Sequence, residues 1–318
     1  MSMLPPDASA PAPGAAAQTL VQVTEFTDAA CPWAWGSDPV FRLLRRGLGQ
    51  QVRWRRVFGI LFDEDDDPAP DLDAEARWYE GFIKDVTAHT RAPYAARLQW
   101  LTRTSWPASL AAKAAEAQGE QVAERVLRRL RETTFVLGAP ADTPEAVASA
   151  VRGVPGLDLD RLLADLAHAD TLAAVRADWA ETRNPLPEVR DLREPGPHPG
   201  RAKEVGEEQY RFALPTLLFD GPGGRVCVPG WRPLAGYLAA ATAAAGEPVP
   251  LPVPFAAPEP VPADEALAYW RSLTLRDLEL LAGTSVAPPD AVRVETGNGP
   301  LWLHPDEADT HPATRARG

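Results

Sequence analysis

The chain has 318 residues, of which 45% are hydrophobic, so it is long enough to bury a sizeable core. Acidic residues outnumber Lys and Arg by 44 to 32, and the net charge of -12 argues against an extended nucleic-acid surface, which draws on clustered cations. Two cysteines cannot form a disulfide framework. Because no stretch has the length and apolarity of a signal peptide or a membrane span, we expect a cytoplasmic protein with a disordered tail at residues 1–19.

The first element holds one of the two cysteines. Residues 21–27 alternate and are rich in β-branched and aromatic side chains, which predicts a strand. Pro32 suits the first position of a helix, where its missing N–H costs nothing, so Cys31 is predicted to be the helix N-cap. The free N–H groups and the helix dipole at that position favour a thiolate, the nucleophilic form of cysteine. We therefore expect Cys31 to be reactive.

Four segments resemble one family. Asp28-Ala29-Ala30-Cys31-Pro32-Trp33 is similar to the Asp-x-x-Cys-Pro-Trp signature of DsbA-like thioredoxin-fold proteins, and most resembles the branch of FrnE-like dithiol-disulfide isomerases and mycothiol-linked reductases. Residues 105–111, 213–219 and 228–231 resemble the family's inserted helix, its cis-Pro loop and the exit from its last strand. The resemblance implies an α/β, thioredoxin-like fold over residues 20–245, with a large all-α insertion at about 71–190.

The sequence departs from the redox members of that family at Ala34. Most of them carry a second cysteine there, which attacks the mixed disulfide intramolecularly with the advantage of proximity. Cys227 is a poor substitute, because a turn at 220–225 would place it opposite Leu218, roughly 10 Å along the strand from Pro215. We interpret Cys227 as a small apolar strand residue.

The resemblance also implies a substrate- or thiol-binding site around Cys31, and each member has a structural alternative. Pro215 is expected to be cis and to leave a backbone edge for a peptide or thiol cofactor, and Thr216 is either a strand residue or a rim hydroxyl. Trp33 is the better candidate for substrate contact, whereas Trp35 is expected in the core. The other candidates are residues that either line the site or only cap and support it: Asp28, Pro32, Ser105, Trp106, Ser109, Leu214 and Arg232, the last of which would hold the carboxylate of an anionic thiol.

The middle of the chain is predicted to be helical, with apolar residues at helical spacing. The predicted helices cover residues 71–90, 94–102, 107–118, 121–135, 144–151, 158–168 and 171–182. Two loops interrupt this block, an acidic one at 62–70 and one rich in Pro and Gly at 184–201. The second loop leads into the Pro215 loop, so it is placed to border the substrate groove.

Alternating prolines after the core indicate a stiff linker at 246–263. Beyond it, helices at 264–273 and 275–281 and a hairpin made by 292–295 and 301–303 predict a small helix-helix-hairpin module at 264–304, followed by a tail at 305–318. This order is typical of a winged helix. Because acidic residues outnumber basic ones there, we favour a module that docks to a partner or caps the core over one that binds DNA.

The residues favour a thiol-disulfide oxidoreductase that acts through Cys31 alone on a small-molecule or protein disulfide, with the mixed disulfide resolved by a low-mass thiol. Mycothiol or glutathione is the co-substrate that the resemblance implies. Two alternatives remain: a thiol-cofactor transferase or isomerase similar to the kappa-class glutathione transferases, and a non-catalytic thioredoxin-like binding scaffold. Five scattered histidines give no metal-ligand spacing, and no Gly-rich turn predicts a nucleotide site.

Overall fold

The computed structural model describes residues 20–64, 70–246 and 255–315. The predicted disordered tail at 1–19 and the central part of the predicted Pro-rich linker lie outside the described residues. The strands are β1 Val21–Thr27, β2 Val52–Phe58, β3 Lys203–Gly206, β4 Gln209–Arg211, β5 Thr216–Gly221, β6 Gly224–Pro229, β7 Ser272–Thr274, β8 Val292–Val294 and β9 Leu301–Leu303. The helices are α1 Pro32–Leu48, α2 Leu72–Thr90, α3 Trp106–Ala115, α4 Glu120–Phe135, α5 Pro144–Val151, α6 Leu159–Leu166, α7 Ala169–Thr182, α8 Pro187–Arg190, α9 Leu234–Ala245, α10 Ala263–Trp270, α11 Leu275–Ala282, α12 Pro305–Ala308 and α13 Pro312–Arg315.

A four-stranded mixed sheet in the order β2-β1-β5-β6 forms the centre of the fold. β1 pairs parallel with β2 through the α1 crossover and antiparallel with β5, which continues into β6. Every residue of β1 except Gln22 is buried, as expected for a central strand that is covered on both faces. Helices α1 and α9 pack their apolar side chains against one set of strand residues, including Val23, Leu217 and Phe219. The predicted thioredoxin-like α/β fold is confirmed.

The helical insertion between β2 and β5 contains α2 to α8, and α7 packs against β2. The prediction of a helix at 94–102 is wrong, because the backbone there bonds to other elements instead of to its own preceding turn. Ala95 N–H donates to the Phe135 carbonyl, Gln99 N–H to the Gly138 carbonyl and Leu98 N–H to the Glu80 carboxylate. The segment is therefore an irregular strap, bent at residues 96–97 and 99–100, which is held against α2 and the end of α4 by tertiary contacts that its own spacing does not reveal.

The C-terminal elements form a three-stranded sheet in the order β7-β9-β8 beside α10 and α11. The predicted hairpin is present, but the predicted helix 264–273 ends at Trp270, because Arg271 adopts a left-handed conformation (φ 67°) and the chain turns into β7. The prediction of a tail from residue 305 is wrong over 305–315. Two short helices lie there, and the side chain of His311 is fully buried.

The C-terminal module packs directly on the thioredoxin core through buried charges. The carboxylate of Asp277 on α11 accepts from Arg42 of α1 at 3.3 Å and from Arg128 of α4 at 3.2 Å. Glu132 of α4 contacts both Ser272 of β7 and His311. Helix α11, which a winged helix would use to read DNA, is thus committed to α1 and α4 of its own chain.

Candidate functional site

Cys31 lies between β1 and α1, as predicted, and is the N-cap of α1, whose first residue is Pro32. Its φ and ψ of -87° and 116° are extended, so the thiol stands at the helix entrance. The Sγ atom lies 3.4 Å from the Leu214 carbonyl, which precedes Pro215, and the Leu214–Pro215 peptide bond is cis. The structure therefore brings Cys31, Leu214 and Pro215 together, although 183 residues separate the thiol from Leu214.

Asp28 fixes the turn that presents the thiol. One of its carboxylate oxygens accepts from Ala30 N–H at 2.7 Å, and the other accepts from Leu61 N–H at 2.8 Å and from the Ser105 hydroxyl at 3.0 Å. The Tyr79 hydroxyl closes the turn by donating to the Ala30 carbonyl at 2.6 Å. Burial raises the pKa of Asp28, whereas these hydrogen bonds favour its ionised form. The predicted residues Asp28 and Ser105 are thus hydrogen-bonded to each other, and together they stabilise the loop that carries the thiol.

The structure contradicts the expectation of a stabilised thiolate at Cys31. The side chain is only 4% exposed and belongs to an apolar cluster with Phe26, Trp33, Val86 and Leu214. Burial raises the pKa of the Cys31 thiol to about 11; the nearby Asp28 carboxylate also raises it, and the helix N–H groups lower it without offsetting the burial. The N-terminus of α1 does favour the thiolate, as the sequence predicts. Desolvation outweighs it because other parts of the chain cover the thiol.

Trp33 forms much of that cover. It is 8% exposed, and its ring centroid lies 4.9 Å from that of His198, 6.1 Å from His89 and 6.2 Å from Trp231. Trp35, in contrast, faces the interior as expected, since it is 1% exposed and its indole N–H donates to the Pro93 carbonyl.

His198 is the principal residue that the sequence analysis missed. Its Nε2 lies 2.9 Å from the Leu214 carbonyl oxygen, which can only accept, so Nε2 carries the proton. Burial lowers the pKa of His198 to about 4, and the ring is therefore neutral near pH 7. The sequence contains one indication of a role for this region, because the 184–201 loop leads into the Pro215 loop. In the structure, this loop does border the site.

Arg232 holds this loop in place. Its guanidinium donates to the carbonyls of His198 and Pro199 at 2.9 and 2.7 Å and to the Glu194 carboxylate at 2.9 Å. The group that the resemblance assigned to a cofactor carboxylate is here engaged by the protein itself. A role for Arg232 in binding an anionic thiol stays a prediction.

A family model described as thioredoxin matches residues 25–184, which is half of the chain. The chain belongs to the thioredoxin family. The crystal structure of a Nitrosomonas europaea protein described as a protein disulfide isomerase is similar to this thioredoxin-family protein, with a TM-score of 0.52 and 13% sequence identity over 68% of this chain and 93% of the other. At that identity the likeness establishes the shared fold. The narrower assignment to the FrnE-like branch stays a prediction.

Two curated relatives are ClpXP adapter proteins named SpxH. The one from Shouchella clausii is 28% identical over 169 residues, which cover 52% of this chain and 54% of the relative. The one from Halalkalibacterium halodurans is 28% identical over 180 residues, which cover 51% of this chain and 54% of the relative. This thioredoxin-family protein thus spans about half the length of the curated relatives it matches.

Two of the remaining predicted site residues of this thioredoxin-family protein, Thr216 and Trp106, are hydrogen-bonded within the chain. Thr216 is fully buried and its hydroxyl donates to the Ala213 carbonyl at 2.7 Å, which favours the strand interpretation over a rim hydroxyl. Ser109 is also fully buried. The indole N–H of Trp106 donates to one oxygen of Asp63 at 3.0 Å, while Trp179 donates to the other at 2.7 Å.

Cys227 lies directly opposite Leu218 in the β5–β6 pairing, as the turn at 220–225 predicted. Burial raises its pKa to about 12. It therefore has the properties of an apolar strand residue, and its thiol is neutral near pH 7.

Across residues 20–64, 70–246 and 255–315, no group of three or more His, Cys, Asp or Glu side chains is arranged to hold a metal ion. None of the helices within these ranges is both long and apolar enough to cross a membrane. The cytoplasmic location and the low-mass thiol co-substrate stay predictions.

Proposed function

We propose that this chain is a protein-binding scaffold of the thioredoxin family, in which the residues at the family's redox site have a structural role and not a catalytic one. The observation that carries the proposal is the burial of the Cys31 side chain, which is 4% exposed, together with Ala34 in the position of the second thiol. A thiol with a pKa of about 11 is ionised in roughly one molecule in ten thousand at pH 7, so it offers almost no nucleophile.

The surroundings of the thiol support the same interpretation. In an open thioredoxin site, the backbone edge beside the cis-Pro loop is free to pair with an extended peptide or a thiol cofactor. Here the Leu214 carbonyl already accepts from His198, and Arg232 fastens the loop that carries His198. A partner would therefore meet the covered surface of the site rather than the thiol itself.

The names of the curated relatives agree with a binding function. An adapter protein acts by holding another protein, and SpxH is named as an adapter of ClpXP. Because the match covers about half of those relatives, the proposal extends to protein binding and does not name their protease as the partner.

The deciding experiment is the pH dependence of Cys31 alkylation in Cys227→Ser protein, followed by intact-protein mass spectrometry so that a single thiol reports. We expect the half-rate point to lie well above the free-cysteine value of about 8.5. The same protein should show no turnover of a small aromatic disulfide in the presence of glutathione or mycothiol. A half-rate point below the free-cysteine value, accompanied by turnover that Cys31→Ser abolishes, would overturn the scaffold proposal.

A second candidate is the oxidoreductase that acts through Cys31 alone, and one observation favours it: the thiol stands at a helix N-terminus against the cis-Pro loop. In this mechanism the Cys31 thiolate attacks a disulfide R–S–S–R′, forms Cys31–S–S–R and releases R′–S⁻, which takes up a proton. A low-mass thiol then attacks the R sulfur, leaves as the mixed disulfide with R and returns Cys31 to the thiol. The mechanism requires the His198 loop to open first, because the described conformation excludes a disulfide from the sulfur.

A further inference from the structure

A groove of about 1610 Å³ lies between the start of α2 and the strap at 94–102. Residues 72–80 of α2 contribute to its lining on one side, and residues 97–102 of the strap contribute on the other. Leu61 also lines the groove; it packs in the apolar cluster that contains Cys31, and its N–H donates to Asp28. The groove therefore borders the covered thiol site.

Two large apolar side chains that line this groove are exposed to solvent. Leu72 at the start of α2 is 63% exposed, and Trp100 of the strap is 39% exposed. Because the two residues belong to α2 and the strap on either side of one cavity, a single segment lying in the groove can contact both. Exposed tryptophan is a residue type on which binding energy concentrates at interfaces.

The strap also presents main-chain groups that the chain leaves unpaired. Among the described residues, no hydrogen bond is made by the N–H or carbonyl groups of Trp100, Leu101 and Thr102. The Thr102 hydroxyl has no partner there either, although the side chain is only 5% exposed. Unpaired main-chain groups on a non-helical segment are the groups to which an extended peptide bonds when it binds as an added strand.

Acidic residues outnumber basic ones along the groove. The lining includes six acids and three arginines, a net charge of -3: Asp63, Glu64, Asp73, Glu75, Glu80 and Asp142 against Arg77, Arg97 and Arg103. A concave surface with an excess of one charge attracts a partner of the opposite charge.

Ion pairs within the chain neutralise only part of this acidity. Asp142 is paired with Arg103, and Asp63 with Arg183. No cation in the described ranges lies within ion-pair distance of the other four acids, and the other two arginines of the lining have no carboxylate at that distance. Four unpaired carboxylates against two unpaired cations leave the groove acidic.

The chain has no basic segment of its own to fill the groove. Outside the described residues the sequence contains a single cationic side chain, that of Arg317. Residues 65–67, which the docking surface does not include, are all aspartate. A second copy of a chain with a net charge of -12 is also a poor match for an acidic groove. The occupant that fits the charge is a segment of another protein.

We infer that the groove between α2 and the strap docks an extended, basic segment of a partner protein that carries one large apolar anchor. The backbone of the segment pairs with residues 100–102, its anchor packs on Trp100 and Leu72, and its Lys or Arg side chains pair with Glu64 and Glu75. The inference rests on the proposed protein-binding function and names the chemistry of the partner.

The test uses the full chain and a fluorescein-labelled peptide in which Lys alternates with Val around a central Phe, with binding followed by fluorescence anisotropy at low salt. Trp100→Ala should weaken binding by about tenfold, the loss expected of a central aromatic contact. Glu75→Gln should weaken it by about threefold, and added salt should reduce that difference because salt screens exposed charges. The matched controls are Trp78→Ala and Asp85→Asn, which change an exposed tryptophan and an exposed acid of α2 outside the groove; both should bind as the parent does.

Two further peptides separate charge from backbone pairing. A peptide with Glu in place of every Lys should bind at least tenfold more weakly, and so should the Lys peptide methylated at its central backbone nitrogens, because methylation removes the N–H donors and keeps the charge. Equal binding of the Glu peptide would overturn the charge argument, and equal binding of the methylated peptide would overturn the backbone pairing. Equal losses in the control variants would place the peptide elsewhere.

Other occupants would be recognised by different results. Displacement of the peptide by calcium chloride, at an ionic strength at which sodium chloride leaves it bound, would assign the acids to a divalent cation. Self-association of the full chain that Trp100→Ala abolishes, followed by analytical ultracentrifugation, would show that a second copy of this chain is the occupant. Either result would overturn the basic partner.

Failure of this inference is distinguishable from failure of the proposed function. If the Lys peptide does not bind while Cys31 titrates as a buried thiol, the docking groove is wrong and the scaffold function stands. If Cys31 titrates as a thiolate and turns over disulfides while peptide binding still depends on Trp100 and Glu75, the scaffold function is wrong and the groove remains as a substrate site.

Discussion

Cys31 and His198 lie against the same backbone oxygen: the Sγ atom is 3.4 Å and the Nε2 atom 2.9 Å from the Leu214 carbonyl. The imidazole thus occupies the backbone edge that an incoming peptide or thiol would use. The same ring packs on Trp33 and so contributes to the burial that keeps the thiol protonated. One residue therefore links access to the site with the ionisation of its thiol.

His198→Ala should increase the reactivity of Cys31. Removing the ring frees the Leu214 carbonyl and admits water beside Trp33, which lowers the pKa of Cys31 toward its ordinary value. Each unit of that decrease raises the thiolate fraction near pH 7 by about tenfold, so the alkylation rate in a Cys227→Ser background should rise by about that factor or more. His168→Ala is the matched control, because that side chain is 63% exposed at the N-cap of α7. An unchanged rate in His198→Ala would show that other groups bury the thiol.

His198 should also make the stability of the fold pH-dependent. Its pKa is lowered from 6.5 to about 4, first by burial and then by the positive charges of Lys203, Arg232 and Arg211, against the opposing hydrogen bond to Leu214. As pH falls through 6.5, His198 takes up a proton in the unfolded chain, whereas in the folded chain it takes up that proton only near pH 4. The free energy of unfolding should therefore fall across that window, and His198 contributes at most about 3 kcal/mol to the decrease.

Urea unfolding at pH 7, 6 and 5 measures this dependence. The slope between pH 7 and 5 should be smaller in His198→Gln, which keeps a hydrogen-bond donor for Leu214 but cannot titrate, than in the parent. His168→Gln should retain the parent slope. Because the pKa of buried His311 is also lowered, part of the slope should persist in His198→Gln. Identical slopes in His198→Gln and the parent would contradict the low pKa of His198.

The site could be predicted from the sequence where local rules decide the structure. A strand, an N-cap and a Pro at the first helical position placed Cys31 correctly, and the turn at 220–225 gave the pairing of Leu218 with Cys227. The burial of the thiol could not be predicted in this way. It depends on His198, Trp231 and α2, which are distant in sequence and meet Cys31 only in the folded chain.

The same distinction between local sequence rules and long-range contacts applies to the fold. The bounds of β1 and α5 follow from residue pattern, and they match the predicted spans 21–27 and 144–151. The 94–102 strap and the 305–315 helices were mispredicted, because partners elsewhere in the chain decide both conformations. The carbonyls of Phe135 and Gly138 accept the backbone hydrogen bonds of the strap. At the last helices, His311 pairs with Glu132, and Glu307 accepts from Arg129.

Asp277→Asn should strongly destabilise the protein. Asp277 is fully buried, forms the capping box of α11 with the N-cap residue Thr274 and balances the charges of Arg42 and Arg128. Neutralising it leaves two buried guanidinium groups short of one counter-charge, and breaking a buried pair in this way typically costs about 3–5 kcal/mol. The measurement is the free energy of unfolding in urea at pH 7. Asp306→Asn, which removes an ion pair of a carboxylate that is 76% exposed, should cost about 1 kcal/mol or less.

The C-terminal module should respond together with the core in that experiment. Arg42 and Arg128 belong to the thioredoxin part of the chain, whereas Asp277 belongs to the module, so the lost pair joins the two. We expect Asp277→Asn to shift the unfolding of both parts, followed through tryptophan fluorescence and far-ultraviolet circular dichroism. A variant whose core unfolds as the parent does while α10 and α11 melt early would show that the module is an independent unit.

Ala34→Cys should restore an intramolecular disulfide. Ala34 is fully buried in the first turn of α1, three residues after Cys31, and residues at that spacing face each other at about 5–6 Å between Cβ atoms. A disulfide needs Cβ atoms about 3.5–4.5 Å apart, so the helix entrance must move the two residues slightly closer, and proximity gives the second thiol a large effective concentration. After treatment with diamide, Ala34→Cys in a Cys227→Ser background should be two hydrogen atoms lighter by intact mass, whereas the Cys31→Ser version of the same protein should not. If the pair stays reduced even in unfolded and refolded protein, the geometry of the helix entrance, and not the absence of a second thiol, prevents redox chemistry at this site.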